Sequence, residues 1–323
     1  MNRCSLFHVT EFSYDGPVSE SYNEVRLRPR QDETQSCLSF RLTTDPVAKT
    51  SAYLDPYGNW VHRFNVLPEH RHLRVEADSV VLVQEPRPLP EDGLALRDLA
   101  ARAEALDEFY DLLCATVYVP HLPAVRELAG DAERDSGGSV AGFARAAAAL
   151  VHDGFRYEKG ATHVQSSIED ALRTRSGVCQ DFAHLLLAML RMHGLPARYV
   201  SGYLLPKSTT EPGASTTEVI GGQASHAWTE VYLPDEGWFG LDPTLGEPIG
   251  LRHVRVAYGR DYGDVAPVRG VYKGHAGQRL SVDVRVRPAL DEEGNEHLQE
   301  TAAGPVQAPA AEEPPQQQQQ QQQ

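Results

Sequence analysis

The most constraining feature of the chain is a change of period. Up to about residue 85 apolar side chains recur at every second position, and beyond about residue 96 they recur with helical spacing. Pro86, Pro88 and Pro90 stand at the junction, each removing a backbone donor and stiffening the chain. A chain of 323 residues with such a switch has room for two folded units. In the first, Phe7, Val9 and Phe12 lead to Tyr14 and a turn at Asp15-Gly16-Pro17. Val25-Arg26-Leu27-Arg28 and Leu38-Ser39-Phe40-Arg41-Leu42 then alternate. Asp55-Pro56-Tyr57-Gly58-Asn59 reads as a turn before Trp60 to Phe64, and Leu73 to Val83 reads as a last strand. Short strands at this spacing predict a small antiparallel β-sandwich.

After the junction, Leu99 to Leu113 and Ser139 to Val151 are Ala- and Leu-rich and predict helices. Beyond Pro288 periodicity ends, and the chain runs through Ala, Pro and Glu into eight glutamines, Gln316 to Gln323. Such a composition cannot bury enough surface to offset the entropy of ordering, which predicts a disordered tail. The expected organisation is a β-domain over 1–85, a linker over 86–95, an α+β core over 96–288 and a tail over 289–323.

Several classes of function are excluded early. The net charge of −15 argues against a nucleic-acid or polybasic membrane binder. Part of that charge is local: seven carboxylates follow Arg287, the last cation, so the body is only mildly acidic. Four scattered cysteines (Cys4, Cys37, Cys114 and Cys179) form neither a disulfide framework nor a zinc knuckle. The N-terminus shows no apolar run of signal length, and no run of about 18 apolar residues occurs anywhere. The expectation is a cytoplasmic protein with no membrane and no nucleic-acid partner, its oligomeric state not legible.

The chemistry concentrates after residue 170. Ser176-Gly177 breaks the chain, and Gln180 to His193 reads as one helix with Phe182, Leu185, Leu186, Met189 and Leu190 on its buried face. Gly194 caps it and Pro196 prevents continuation. Cys179 therefore stands at a helix N-terminus, where the macrodipole and free N–H groups favour a thiolate and can hold an oxyanion. An apolar strand, Ala197 to Leu204, follows, then a Ser-, Thr- and Gly-rich loop over 206–224. His226 opens a strand running to Leu233. Pro234-Asp235-Glu236-Gly237 turns it, and Trp238 to Asp242 returns, ending at Pro243. A thiol, an imidazole and a carboxylate in this order supply a nucleophile, its base and the group that orients the base. A tight turn at 234–237 places Asp242 opposite Thr229, so a bulge or strong twist is needed to close an offset of about 10 Å to His226.

Three blocks carry a specific likeness: Gly177-Val178-Cys179-Gln180-Asp181-Phe182-Ala183-His184, Gly194 to Tyr203, and Ser225-His226-Ala227-Trp228-Thr229-Glu230-Val231 with Trp238 to Thr244. They resemble the bacterial transglutaminase-like superfamily. Ser21 to Pro29 and Asp55 to Trp60 are similar to the β-domain that precedes the core in one bacterial branch. The resemblance covers about residues 1–288 and implies a papain-like α+β core with Cys179, His226 and Asp242 as catalytic triad and no cofactor. It implies a thioester acyl-enzyme formed from an amide or peptide carbonyl, with a protein, peptide or small-molecule amide as substrate and a primary amine or water as acceptor. It does not imply a direction of reaction, and no positions match the calcium sites of the animal enzymes.

Other residues are expected to be structural. Asp181 suits a first helical turn, His184 and His193 lie at the helix edge, and His62, His70 and His72 lack a partner at metal-ligand spacing, so no metal is expected. Trp228, with Tyr199, Tyr203 and Trp238, is of a type that packs cores, and Trp228 is the candidate for contact with substrate. Tyr157 is a candidate donor to the oxyanion. Two other readings remain open: a thiol peptidase or amidase using the same residues, and a non-enzymatic interaction module that retains the fold.

Overall fold

The computed structural model describes residues 1–91, 93–102, 107–159, 167–206, 225–289 and 306–307. Its longest element is strand β1, Asn2–Val25. The first half of β1 pairs antiparallel with β5 (His70–Val83) on one side and β14 (Gln278–Pro288) on the other. The second half pairs with β4 (Trp60–Val66) and β13 (Val268–Lys273). The register shifts between Ser13 and Val18, around Asp15-Gly16-Pro17. These residues were expected to reverse the chain; instead they bend a continuous strand from one sheet layer into the next. Pro17 cannot donate to a ladder, so the pairing breaks there without the strand ending.

β2 (Gln35–Asp45) extends the first layer along β5, and β3 (Ser51–Leu54) extends the second along β4, to which the expected turn at 55–59 joins it. Between the layers lie Tyr14, Val18, Val25, Phe64, Val66, Leu73 and Val75, the alternation visible in the sequence. The result is an antiparallel sandwich, but not one built from the N-terminal segment alone. β13 and β14 come from 268–288, within the span expected for the catalytic core, and they close β1 on its second side. Val306–Gln307, here β15, pairs with Val282 and Ser281 of β14; the rest of the expected disordered tail lies outside the described residues.

Where Leu99 to Leu113 was expected to be helical, the described residues form two 3-10 segments, Leu96–Arg102 and Asp107–Leu112, each burying one leucine, Leu99 or Leu112. Without a continuous apolar stripe, a regular helix gains nothing by packing there. The first regular helix, α1 (Pro123–Arg134), lies between the two stretches expected to be helical. Pro at its first position and Val125, Leu128, Ala129 and Ala132 on its buried face are the ordinary signals for it. α2 (Val140–Gly154) has Ser139 as N-cap, whose hydroxyl accepts from the Gly142 N–H. Short segments follow: β6 (Arg156–Tyr157), α3 (Ile168–Thr174) and β7 (Ser176–Gly177). Then comes the central helix α4 (Cys179–Met192), buried from Gln180 to Arg191. Its one buried cation, Arg191, donates to the carbonyls of Cys114, Ala197 and Arg260 and so ties the helix end to its surroundings.

α4 lies against an antiparallel sheet of order β11-β10-β9-β8-β12, formed by β8 (Ala197–Leu204), β9 (His226–Leu233), β10 (Gly237–Asp242), β11 (Glu247–Pro248) and β12 (His253–Gly259). The loop expected over 206–224 lies outside the described residues except for Pro206. β12 is an edge strand, and its outer edge is covered by side chains of the sandwich. The Gln35 amide donates to the Arg255 carbonyl and accepts from the Arg255 N–H, at 2.7 and 2.8 Å. Asn59 does the same with Tyr258, at 2.7 and 2.8 Å. Two side-chain amides thus act as a missing strand, which both blocks edge pairing and locks the two halves together. Cys4, Leu6, Val81, Val83 and Val284 of the sandwich share one apolar cluster with Phe143, Phe182, Leu186 and Met189.

Candidate active site

Cys179 is the first residue of α4 and is half-buried, among four cysteines that are all free thiols. The turn before it is compact because Gly177 has no side chain. A Cβ there would come within 2.8 Å of the Asp181 carboxylate, which folds back to accept the Val178 N–H at 2.8 Å. Asp181 therefore closes the helix start, as expected from its position. Tyr157 pairs through its backbone with Gly177, and its half-buried phenol is held un-ionised by burial and by the neighbouring Cys179. Tyr199, fully buried on β8, is held un-ionised for the same two reasons, burial first.

His226 opens β9 and Asp242 closes β10. The ladder between them runs without a shift from Gly237–Leu233 to Leu241–Thr229, which puts Asp242 opposite Trp228 rather than Thr229. The offset to His226 is then two residues along one face. Such diagonal neighbours have Cα atoms about 7–8 Å apart and are within reach of long side chains. No bulge is needed: His226 Nε2 and Asp242 Oδ2 lie 2.7 Å apart, with both side chains buried. The Asp242 Oδ1 atom accepts from the N–H groups of Thr244 and Leu245, at 2.9 and 3.1 Å.

A further residue, His253, the first of β12, carries no signal in the sequence. Its Nε2 lies 3.0 Å from the same Asp242 oxygen, while its Nδ1 accepts from the Gly250 N–H at 3.1 Å. β10 and β12 stand three strand positions apart, about 14 Å in a flat sheet, so the sheet must curl strongly to bring them together. Gly202, on β8 between them, permits the curl. A Cβ there would lie 2.1 Å from the Val254 carbonyl oxygen and 2.5 Å from the Trp228 ring. Trp228, expected at the substrate, is fully buried with Val200 and Tyr258 and stands edge-on to His253, so it forms the wall behind the site.

Charge follows from this geometry. Burial disfavours an imidazolium at His226, but the Asp242 carboxylate and its hydrogen bond, with a smaller contribution from Cys179, outweigh it and push the group up to about 10. Burial alone would raise Asp242; the His226 cation and the hydrogen bonds from both histidines drive it well below the usual carboxylate range instead. With Nε2 committed to Asp242, the buried Nδ1 of His226 has no acceptor or donor within hydrogen-bond distance, and the Cys179 thiol is the group that acts on the ring from α4. Among the described residues, His226, Asp242 and His253 are the one cluster with metal-capable atoms, all within 4.8 Å of each other. Hydrogen bonds already account for those atoms. His70 binds Ser21 and the Pro68 carbonyl, His72 binds Asp45, His184 accepts from the Tyr262 N–H, and His193 stacks on Phe143.

Comparison with known proteins agrees with this architecture. The profile of the transglutaminase-like superfamily matches residues 126–243, and that of the bacterial transglutaminase-like N-terminal region matches residues 4–82. An uncharacterised Mycobacterium tuberculosis protein is 37% identical over 297 residues, covering 89% of this chain and 93% of that protein. One from Mycobacterium leprae is 35% identical over 286 residues, covering 88% and 99%. A Pseudomonas aeruginosa protein-glutamine gamma-glutamyltransferase is 35% identical over 95 residues, 29% of this chain and 14% of that enzyme. Among solved structures, a Cytophaga hutchinsonii protein described as a candidate cysteine protease superposes with a TM-score of 0.63 at 20% identity, covering 91% of this chain and 95% of that one. Among the described residues no helix is long and apolar enough to cross a membrane. With its helix-borne cysteine, its curled antiparallel sheet and its N-terminal sandwich, the chain belongs to the transglutaminase-like superfamily, in the branch that carries the bacterial N-terminal region.

Proposed function

We propose that the protein is a cysteine acyl-transfer enzyme acting on amide or peptide carbonyls through Cys179, His226 and Asp242. The observation that supports it most is the buried 2.7 Å contact between His226 Nε2 and Asp242, which leaves Nδ1 for the thiol at the start of α4. Asp242 fixes the tautomer, and the cation it favours on His226 is the counter-ion of a Cys179 thiolate. The thiolate adds to the carbonyl carbon. The oxyanion is held by N–H groups of the first turn of α4 and by the neutral Tyr157 phenol. Collapse expels the amine, which takes its proton from His226, and leaves a thioester on Cys179. A second amine or water, deprotonated by His226, then releases the acyl group and restores the thiol.

The same residues serve transfer and hydrolysis. The segment shared with the Pseudomonas glutamyltransferase favours amine as acceptor. Incubation with a glutamine-containing peptide, with and without an added primary amine, followed by mass analysis, separates the outcomes. An amine adduct with release of ammonia supports transfer, and a free acid in both arms supports an amidase or peptidase. An intact peptide and an unacylated Cys179 across a peptide library overturn the proposal in favour of a non-enzymatic module.

A further inference from the structure

His253 touches, from β12, the same carboxylate that holds His226. We propose that it is a positioning residue: as a neutral imidazole it donates its Nε2 proton to Asp242 and fixes the carboxylate against which His226 is aligned. The inference rests on reading Cys179, His226 and Asp242 as the reacting group.

The proton assignment comes from the backbone. The Gly250 N–H can only donate, so His253 Nδ1, 3.1 Å away, must be the acceptor. The remaining hydrogen of a neutral ring is then on Nε2, which faces Asp242 Oδ2 at 3.0 Å. The same assignment argues against metal ligation through this nitrogen. A metal on Nε2 would require the hydrogen on Nδ1, pointing at another donor. Asp242 thus receives four donors, two backbone N–H groups on Oδ1 and two imidazoles on Oδ2. Its side chain has no freedom left.

The placement is over-determined from outside as well. β12 is an edge strand that could shift, yet Gln35 and Asn59 clamp its backbone two and five residues beyond His253. Trp228 abuts the ring edge-on with centroids 5.2 Å apart. The other ionisable groups facing this pocket are Cys179 from α4, His226 from β9 and, on the approach to β12, Arg252 near Glu247 at 3.6 Å. What sets this ring apart from an ordinary buried histidine is its partner: one nitrogen is held by a backbone N–H and the other faces the carboxylate that also holds His226.

Two substitutions separate positioning from packing. His253→Phe keeps the ring and removes the donor; His253→Gln returns an N–H near the Nε2 position. The readout is the rate of Cys179 alkylation by iodoacetamide at pH 6, alongside the melting temperature. One hydrogen bond to a buried charge corresponds to a loss of roughly tenfold to a hundredfold. The expected result is that loss in the Phe variant and recovery to within about threefold in the Gln variant. Wild-type rates in a folded Phe variant, or equal losses in both, overturn the proposal. If the Phe variant does not fold, nitrogen NMR of labelled wild-type protein decides. A proton on His253 Nε2 with Nδ1 bare supports it, and a proton on Nδ1 overturns it. A wild-type Cys179 no more reactive than Cys37 counts against the catalytic reading instead, and the NMR result then stands by itself.

Discussion

His8 in the sandwich and His226 in the curled sheet are equally removed from water, at 2% and 1% exposure, yet their environments push them in opposite directions. His8 sits between the Thr10 and Tyr203 hydroxyls, at 2.9 and 2.8 Å, and burial drives it down to about 4. His226 sits against a carboxylate and is driven up to about 10. Burial penalises the cation at both, so the partner alone decides the outcome. Neutral hydroxyls leave desolvation unopposed and make a structural histidine. A carboxylate saturated with donors outweighs the same penalty and favours the cation, which is what the proposed role of His226 requires.

The comparison breaks most sharply at Asp242. Asp242→Asn makes the partner of His226 neutral like that of His8, and an amide that donates would also favour the wrong tautomer. The expected loss is about three to four powers of ten in turnover or in selective alkylation of Cys179, with the fold retained. In the wild type, alkylation near neutral pH should mark Cys179 before Cys4, which burial pushes up to about 12, and before Cys37, which burial also raises. Full activity in Asp242→Asn would remove Asp242 from the proposed triad.

How much of this was legible depended on whether the deciding contact was local. The start of α4 was readable because Gly177, Asp181, Gly194 and Pro196 all lie within a few residues of the helix they delimit. The β9–β10 hairpin was readable too, and one residue of register turned an apparent mismatch into a diagonal contact. The bend in β1 was not readable, because Asp15-Gly16-Pro17 suits a reversal and a kink equally; which one forms depends on β13 and β14, more than 240 residues away. His253 is silent for the same reason. Its partner lies three strands across, and only the curl over Gly202 makes them neighbours.

The clamp on β12 gives the next largest expected effect. Each amide makes two hydrogen bonds to the backbone of β12, and losing both leaves buried groups unpaired at about 1–3 kcal/mol apiece. Gln35→Ala with Asn59→Ala should therefore lower the unfolding free energy by several kcal/mol and slow Cys179 alkylation through His253. A destabilised protein with wild-type alkylation would show that the sandwich supports the fold without tuning the site.

The two histidines also predict opposite pH limbs. His226, raised above its unfolded value near 6.5, contributes stability that is complete below that pH and is lost as pH climbs through about 10. His8, lowered to about 4, contributes stability that is complete above the unfolded value and is lost as pH falls towards 4. Each group changes stability by at most about 1.4 kcal/mol per pH unit within its window. Chemical denaturation from pH 4 to 7 should show a shallower acid limb in His8→Gln than in wild type. An unchanged limb would mean that His184, pushed down to about 3, or another group carries it.

The smallest effect is expected at the C-terminus. β15 adds two paired residues, opposite Ser281 and Val282, to the outer edge of β14, and β14 is already held along its other side from Cys4 to Tyr14. Two edge pairs beside an eleven-residue ladder contribute little, while the sequence after Ala289 has seven carboxylates, no Lys or Arg and eight terminal glutamines. Removing everything after Ala289 should shift the melting temperature by no more than about 2 °C and leave the Cys179 alkylation rate as it was. A larger drop would show that β15 protects the exposed edge of β14, and a changed alkylation rate would show that the tail reaches the site. Comparing the truncated and full-length proteins with a labelled primary amine separates these. Label on Gln316 to Gln323 that is absent in Cys179→Ala would make the tail a substrate of the protein's own site rather than inert sequence.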